Sequence, residues 1–229
     1  MRNFIIGAGG VGSWLLPKLM RVAGIIYVVD GDSLEEKNLD RQLFLPEDIG
    51  DNKANALVDC YNRFRHGHAI MRSVPQFYHS GMSADIGVTS DSWLFCCADN
   101  HAARRAVLTT CDQVGCSGII AANETTDSEA YVYLPTWRDG PNDPRTYYPI
   151  ILEDNTGDPL GPAGCTGEAA EETPQLSIAN DMASSLAMSL YWFWTRTRKE
   201  LDIETAEFWP TRHAATAYKV TTTKLGDRK

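Results

Sequence analysis

The chain has 229 residues, 43% hydrophobic and 22% charged, ordinary for a globular protein and long enough for one well-buried core. Its 21 Lys+Arg against 30 Asp+Glu leave a net charge of −9, which counts against a nucleic-acid coat or an anionic membrane as partner. No apolar run approaches the roughly 20 residues of a membrane span, and six cysteines without a C-x-x-C pair exclude a zinc ribbon and fit buried thiols in a reducing cytoplasm.

Asn3 to Ile6 is a short apolar run that predicts a buried strand. Met1 to Ile6 resembles the start of a signal peptide, but Gly7, Gly9, Gly10 and Gly12 break the apolar region too early. Residues 11–23 predict a helix with Val11, Leu15, Leu16 and Leu19 on its apolar face, closed by Gly24 and kinked by Pro17. Ile25 to Val29 is a second β-branched run. Together these make a strand–turn–helix–strand unit of about 30 residues, the building block of a parallel sheet.

Residues 51–65 carry Ala54, Leu57, Val58 and Tyr61 at helical spacing. Trp93 to Ala98 predicts a strand, residues 100–114 a helix, and Gly118 to Ala122 and Ala130 to Leu134 two more strands. From 139 to 164 five prolines and four glycines predict a loop without regular structure, of the length that is usually functional. Residues 175–200 form the longest predicted helix, its basic end suited to the negative pole of the helix dipole. Ala215 to Thr223 alternates as one closing strand. The expected organisation is a single domain over 1–229 with a long crossover loop at about 139–174.

Chemistry concentrates near the first turn. Gly7-Ala8-Gly9-Gly10-Val11-Gly12 is a G-x-G-G-x-G placed after a strand and before a helix. Bare backbone N–H groups and a helix N-terminus there suit a phosphate. Asp30, at the end of the second strand, is placed to accept hydrogen bonds from ribose hydroxyls. These features alone indicate only a nucleotide, with NAD as the usual occupant.

The stretch from Val29 to Phe44 contains Asp30-Gly31-Asp32 and then Asn38-Leu39-Asp40-Arg41-Gln42, a D-x-D … N-x-x-R-Q pattern following the glycine turn. Lys53-Ala54 opens the next helix, and Ala98-Asp99-Asn100 with Arg104 closes the later strand. In this order the motifs resemble the ThiF/MoeB/HesA family, the ubiquitin-activating-enzyme-like adenylyltransferases. The resemblance runs from about Asn3 to Arg104 and, more loosely, through 175–200.

That resemblance implies a Rossmann-like α/β fold, mostly parallel, with helices on both faces and an antiparallel closing portion. It implies that Gly7, Gly9, Gly10 and Gly12 wrap the phosphates of ATP, with Asp30 on the ribose and Asp32 and Gln42 in the same nucleotide-binding stretch. Asn38, Arg41 and Lys53 would contact the three phosphates. Asp99 would bind Mg²⁺, with Asn100 and Arg104 shaping its loop. The implied reaction is attack on ATP by the C-terminal glycine carboxylate of a small ubiquitin-like or sulfur-carrier-like protein, releasing pyrophosphate. Arg41, Lys53 and Asp99 would be its catalytic groups, since negative charge builds on nucleophile and leaving group alike. Cys165 would then take the acyl group as a thioester, although Glu168, Glu171 and Glu172 nearby would raise rather than lower a thiol pKa. A homodimer, with Arg41 reaching across it, and a downstream conjugating or sulfur-transfer protein are further implications.

The chain departs from bacterial members in lacking their paired C-x-x-C zinc site. Other readings stay open at this level. An NAD-dependent oxidoreductase explains the glycines and Asp30 but leaves Asn38, Arg41, Lys53 and Asp99 unused. A catalytically silent scaffold subunit has no need of those residues, and a tRNA-modifying dehydratase fits the −9 charge poorly. His66-x-His68 lacks a third metal ligand at usable spacing.

Overall fold

Strand-forming apolar residues start the fold, and glycine turns steer it. In the computed structural model the residues described are 1–63, 69–124, 126–154, 177–197, 210–216 and 219–223. Strand β1 (Arg2–Ile6) has Phe4 and Ile5 fully buried and enters helix α1 (Gly10–Leu19) through the glycine turn. Strand β2 (Ile25–Val29) returns parallel to β1, and helix α2 (Lys53–Arg63) follows a long irregular connection. Then come strand β3 (Ile70–Val74), strand β4 (Trp93–Cys96), helix α3 (His101–Val114), and strands β5 (Ser117–Asn123) and β6 (Asp127–Tyr133).

Two short helices, α4 (Pro144–Tyr147) and α5 (Ile150–Glu153), precede the long helix α6 (Ser177–Trp192); strands β7 (Arg212–Thr216) and β8 (Lys219–Thr223) close the order. The strands form one sheet, ordered β3-β2-β1-β4-β5-β6-β7-β8. Its first five strands pair in parallel and the last three join antiparallel. This is the expected α/β, Rossmann-like arrangement. On one face, α1, α2 and α6 pack Leu15, Leu16, Leu57, Ala183 and Leu190 into one core cluster. On the other, α3 contributes Val107 and Leu108 to a second cluster with Phe4, Leu94 and Ile120. No helix among the described residues is long and apolar enough to cross a membrane.

Two sequence expectations need correction, and one strand goes unpredicted. The sequence pattern does not predict β3, because Ile70-Met71-Arg72-Ser73-Val74 interleaves polar side chains and Ile70 is exposed at the sheet edge. In place of a single closing strand there are two antiparallel strands, β7 and β8; Ala217 and Tyr218, between them in sequence, carry none of the usual turn signals. The segment expected as loop from 139 holds α4 and α5. Asp143 caps α4 by accepting from the Arg145 N–H at 2.9 Å, and Pro144 occupies its first position. Residues 155–176, with Cys165, lie outside the described residues, as do His66 and His68. α6 gives way after Trp192 to a wider π turn over Phe193–Thr197, where the Thr195 hydroxyl donates to the Tyr191 carbonyl at 2.7 Å.

α4 is fastened by a charged cluster. The Arg145 guanidinium reaches Asp143 at 2.9 Å, Asp112 of α3 at 2.8 Å and the Tyr133 hydroxyl at 2.6 Å. Burial alone would raise the Asp143 pKa, but Arg145 and the backbone N–H groups of Asp139 and Arg145 outweigh it and hold the carboxyl below its ordinary range. A depressed folded-state pKa contributes stability above the unfolded value near 4, lost as pH falls through the folded value. Arg145→Met is expected to cost about 3 kcal/mol near neutrality by removing the cation beside the buried Asp143 carboxylate, Asp112 keeping Arg138 at 3.4 Å. In urea titrations from pH 7 to pH 3 the gap to wild type should narrow on acidification; a gap independent of pH would refute the assignment.

Candidate functional site

The parallel strand order changes direction between β1 and β4, and the crevice beyond their carboxyl ends is where such sheets bind ligands. The glycine turn lies there. Gly7 has φ +95, a conformation that disfavours a side chain, and a Cβ on it would stand 2.8 Å from the Ala98 backbone nitrogen. A Cβ on Gly12 would fall 1.9 Å from the Gly7 carbonyl oxygen, and one on Gly10 would fall 2.3 Å from Asn180 Oδ1. Gly9 differs: its nearest neighbour would be Gln42 Nε2 at 3.8 Å. Three of the four motif glycines are thus required by close packing of the turn, whereas Gly9 has ordinary clearance. No side chain caps α1 at Gly9, so the first-turn N–H groups are left for another acceptor.

Asp30, at the end of β2, is buried and braces the turn. Its Oδ2 accepts from the Ala8 N–H at 2.6 Å and its Oδ1 from the Asp32 N–H at 2.8 Å. Desolvation raises its pKa, with the two backbone bonds and the Lys53 charge pulling the other way. Each carboxylate oxygen keeps a second lone pair. Asp32 is exposed and pairs with Lys53 Nζ at 3.3 Å; the Lys53 side chain is itself only 11% exposed. Asn52 ties these parts together, donating to the Asp30 and Asp32 carbonyls at 2.9 and 3.0 Å while its Oδ1 caps α2.

The connection from β2 to α2 folds back over the turn. Asn38 is buried, and its Oδ1 accepts from the Glu35 N–H at 3.0 Å, closing a 3₁₀ turn over Glu36–Asn38. The Arg41 guanidinium bonds the Lys37 carbonyl at 3.4 Å and Asp40 at 3.3 Å. The Arg41 carbonyl accepts from Trp14 Nε1 at 3.1 Å and from Asn180 Nδ2 at 3.3 Å. Gln42 is buried beside Gly9, its Oε1 without a hydrogen-bond partner. The Leu43 N–H is held by Ser13 Oγ at 3.1 Å.

Beyond β4, Asp99 is exposed, next to the Ala98 backbone that packs on Gly7. Asn100 is the N-cap of α3, accepting from the Ala103 N–H at 2.7 Å. Arg104 is half-buried, with a buried Nε lacking a partner and an Nη1 3.5 Å from His101 Nδ1. Burial and then the Arg104 charge lower the His101 pKa.

The structure therefore brings Gly7, Gly9, Gly10, Gly12, Asp30, Asp32, Arg41, Gln42 and Lys53 to one end of the sheet, with Asp99, Asn100 and Arg104 following the adjacent strand. Asn38 serves the 3₁₀ turn through its Oδ1. The sequence motifs do not single out Trp14, Asn52 or Asn180. Asn52 is readable as a helix N-cap, but nothing local marks the other two. Burial pushes the thiol pKa of Cys96 up to about 11 and raises those of Cys97 and Cys60; Cys111 is also raised, first by its bond with Cys116 and then by burial. This fits a core or incidental role for them. Among the described residues, no group of three or more His, Cys, Asp or Glu could hold a metal ion.

The ThiF family model matches residues 1–175. A Saccharomyces cerevisiae protein described as ubiquitin-activating enzyme E1-like is 34% identical over 114 residues, covering 46% of this chain and 17% of that protein. Cap2 of Enterobacter hormaechei, described as an ATP-dependent ubiquitin transferase-like protein, is 42% identical over 60 residues, 26% of this chain and 10% of Cap2. The chain thus spans well under two thirds of the length of the curated relatives it matches. Among solved structures, Escherichia coli MccB crystallised with ATP superposes with a TM-score of 0.68 at 17% identity, over 98% of this chain and 64% of MccB. PaaA gives 0.65 at 14% identity, over 98% and 72%. At such identity the likeness establishes the fold.

Proposed function

The chain belongs to the ThiF family, and on that premise we propose that it adenylates the C-terminal carboxylate of a small ubiquitin-like or sulfur-carrier-like protein, consuming ATP and releasing pyrophosphate. The observation that carries this is the convergence on one glycine turn of Asp30, the Asp32–Lys53 pair and the Arg41–Gln42 segment. An NAD site requires only the first of these. The relatives lend support: one is described as ubiquitin-activating enzyme E1-like, and MccB has been crystallised both with ATP and with MccA.

In this reaction a carboxylate oxygen of the acceptor bonds to the α-phosphorus, and the bond from that phosphorus to the α–β bridging oxygen breaks. The electron pair leaves with pyrophosphate. The open N–H groups at the start of α1 hold phosphate oxygens. Asp30 takes ribose hydroxyls on its remaining lone pairs, and Gln42 lies over Gly9, beside the phosphates. Lys53 and Arg41 neutralise charge building on the leaving group. The donor set fits Mg²⁺: an exposed carboxylate at Asp99, with no protein-only cage among the described residues, suits an ion that takes one or two carboxylates plus phosphate oxygens. Bound there, the ion would supply charge neutralisation at the phosphates.

Cys165 is the proposed acceptor in a following thioester step, its thiolate bonding to the acyl carbon as the bond from that carbon to the adenylate oxygen breaks and AMP leaves. A homodimer, a basic docking face on the acceptor to match the −9 chain, and a cytoplasmic setting suited to free thiols complete the proposal. The test is ATP–pyrophosphate exchange with candidate carrier proteins ending in Gly-Gly, alongside NAD titration. Exchange dependent on the carrier is expected, with a DTT-sensitive adduct that Cys165→Ala abolishes; NAD binding without ATP binding would sink the proposal.

A further inference from the structure

Arg41 is tied to the surrounding helices through its backbone, while the bonds of its guanidinium to Lys37 and Asp40 stay within its own loop. Its carbonyl accepts two side-chain donors from different helices, Trp14 Nε1 of α1 at 3.1 Å and Asn180 Nδ2 of α6 at 3.3 Å. The two helices are locked where these donors project: Lys18 Nζ lies 5.7 Å over the Trp14 ring, 2.6 Å from Asp181 and 2.7 Å from the Ser184 hydroxyl. Two residues further on, Ser13 Oγ fixes the Leu43 N–H at 3.1 Å. The segment carrying Arg41 and Gln42 is thereby pinned at both ends.

Asn180 is fully buried, and its Oδ1 has no hydrogen-bond partner where it packs on the Cα of Gly10. An unpaired buried amide oxygen costs stability, and an apolar side chain of the same volume would avoid that cost. Packing therefore does not account for asparagine at this position. Its Nδ2 donor to Arg41 does, and one side chain so links the start of α1 to the arginine loop.

We propose that Asn180, acting with Trp14, is a positioning residue for nucleotide binding: it sets the Arg41–Gln42 segment against the glycine turn. The inference rests on the adenylation proposal, since the segment matters only if phosphates occupy that turn. Asn180 touches no reacting atom; its effect passes through Arg41 and Gln42.

The experiment uses the full chain and MgATP as titrant in calorimetry. Asn180→Leu keeps the heavy-atom count and the branching at Cγ, removes the donor and the unpaired oxygen, and adds the bulk of two methyl groups. It is expected to bind ATP about five- to tenfold more weakly, the worth of one lost hydrogen bond, with Tm followed alongside to separate that loss from any packing cost. Trp14→Phe, which keeps a ring but not the N–H, is expected to do likewise. In an Arg41→Ala, Gln42→Ala background, Asn180→Leu should add less than about twofold, because residues acting through one another are not additive. Amide hydrogen exchange over residues 38–44 in nucleotide-free protein should speed up in Asn180→Leu while α1 is unchanged. Wild-type ATP affinity in Asn180→Leu, or an equal loss in both backgrounds, overturns the inference alone. Wild-type protein that binds no ATP overturns the adenylation proposal and the inference with it. Should leucine fail to fold at this site, Asn180→Ala serves in the same cycle.

Discussion

Asp99→Ala is expected to lower ATP–pyrophosphate exchange on the order of 10²- to 10³-fold, the scale seen when one transition-state charge contact is removed. Asp99 is exposed at the carboxyl end of β4, at the crevice where the strand order reverses. An exposed side chain contributes less to stability than a buried one, so the rate should fall by far more than Tm. Its neighbour makes the natural control. Asn100 caps α3 through the Ala103 N–H, and Asn100→Ala is expected to cost about 1 kcal/mol of stability. Asp99→Ala should move the rate far more than Tm, whereas Asn100→Ala should move Tm together with whatever the loop it shapes contributes to the rate. Residual exchange in Asp99→Ala should need more Mg²⁺ than wild type. Exchange at the wild-type rate would rule out the metal role.

Gly12→Ala is expected to do the opposite, damaging fold and site together. Its Cβ would stand 1.9 Å from the Gly7 carbonyl oxygen, which is backbone and has no rotamer to retreat into. Gly7 cannot yield either, since its own position is set by the Ala98 backbone and by its N–H bond to Val29 at 2.9 Å. Relief requires α1 to move off the turn. Overpacking of this kind costs about 3 kcal/mol or more when backbone must shift, and ATP affinity should be lost with the turn geometry. Gly9→Ala is the informative partner, because its Cβ meets only Gln42 Nε2 at 3.8 Å. It should leave the urea midpoint close to wild type yet weaken ATP binding by filling the space in front of the α1 N-terminus. Equal urea midpoints for Gly12→Ala and wild type would refute the packing explanation, and unchanged ATP affinity in Gly9→Ala would move the phosphates elsewhere.

Much of this site is legible in the amino-acid order alone, because its parts are contiguous in the chain. A strand, a glycine turn, a helix and a second strand occupy the first 29 residues, each with its own period, and Asp30 falls at the strand end by simple succession. Lys53 and Asn100 likewise open helices whose apolar spacing is plain. The parallel sheet with helices on both faces follows from the alternation of these elements. β3 is not legible, since Arg72 and Ser73 sit side by side in a five-residue edge strand and break both the apolar run and the alternation. The division into β7 and β8 is not legible either, because Ala217 and Tyr218 are not turn formers by sequence.

What only the tertiary structure decided lies in contacts between distant residues. The motif glycines look equivalent in sequence, yet backbone from Ala98 and a side chain from Asn180 make Gly7 and Gly10 packing requirements while Gly9 keeps ordinary clearance. Asn180 meets Arg41 across 139 positions, and Arg145 meets Asp112 across 33. Local propensity and periodicity report on neighbours within a turn or two of chain. A hydrogen bond formed only when two helices dock on the same sheet leaves no trace in either helix's own pattern. The sequence by itself thus determined the family, the parallel α/β core and the residues of the glycine turn. The docking of α6 on α1 decided how the loop bearing Arg41 is held there.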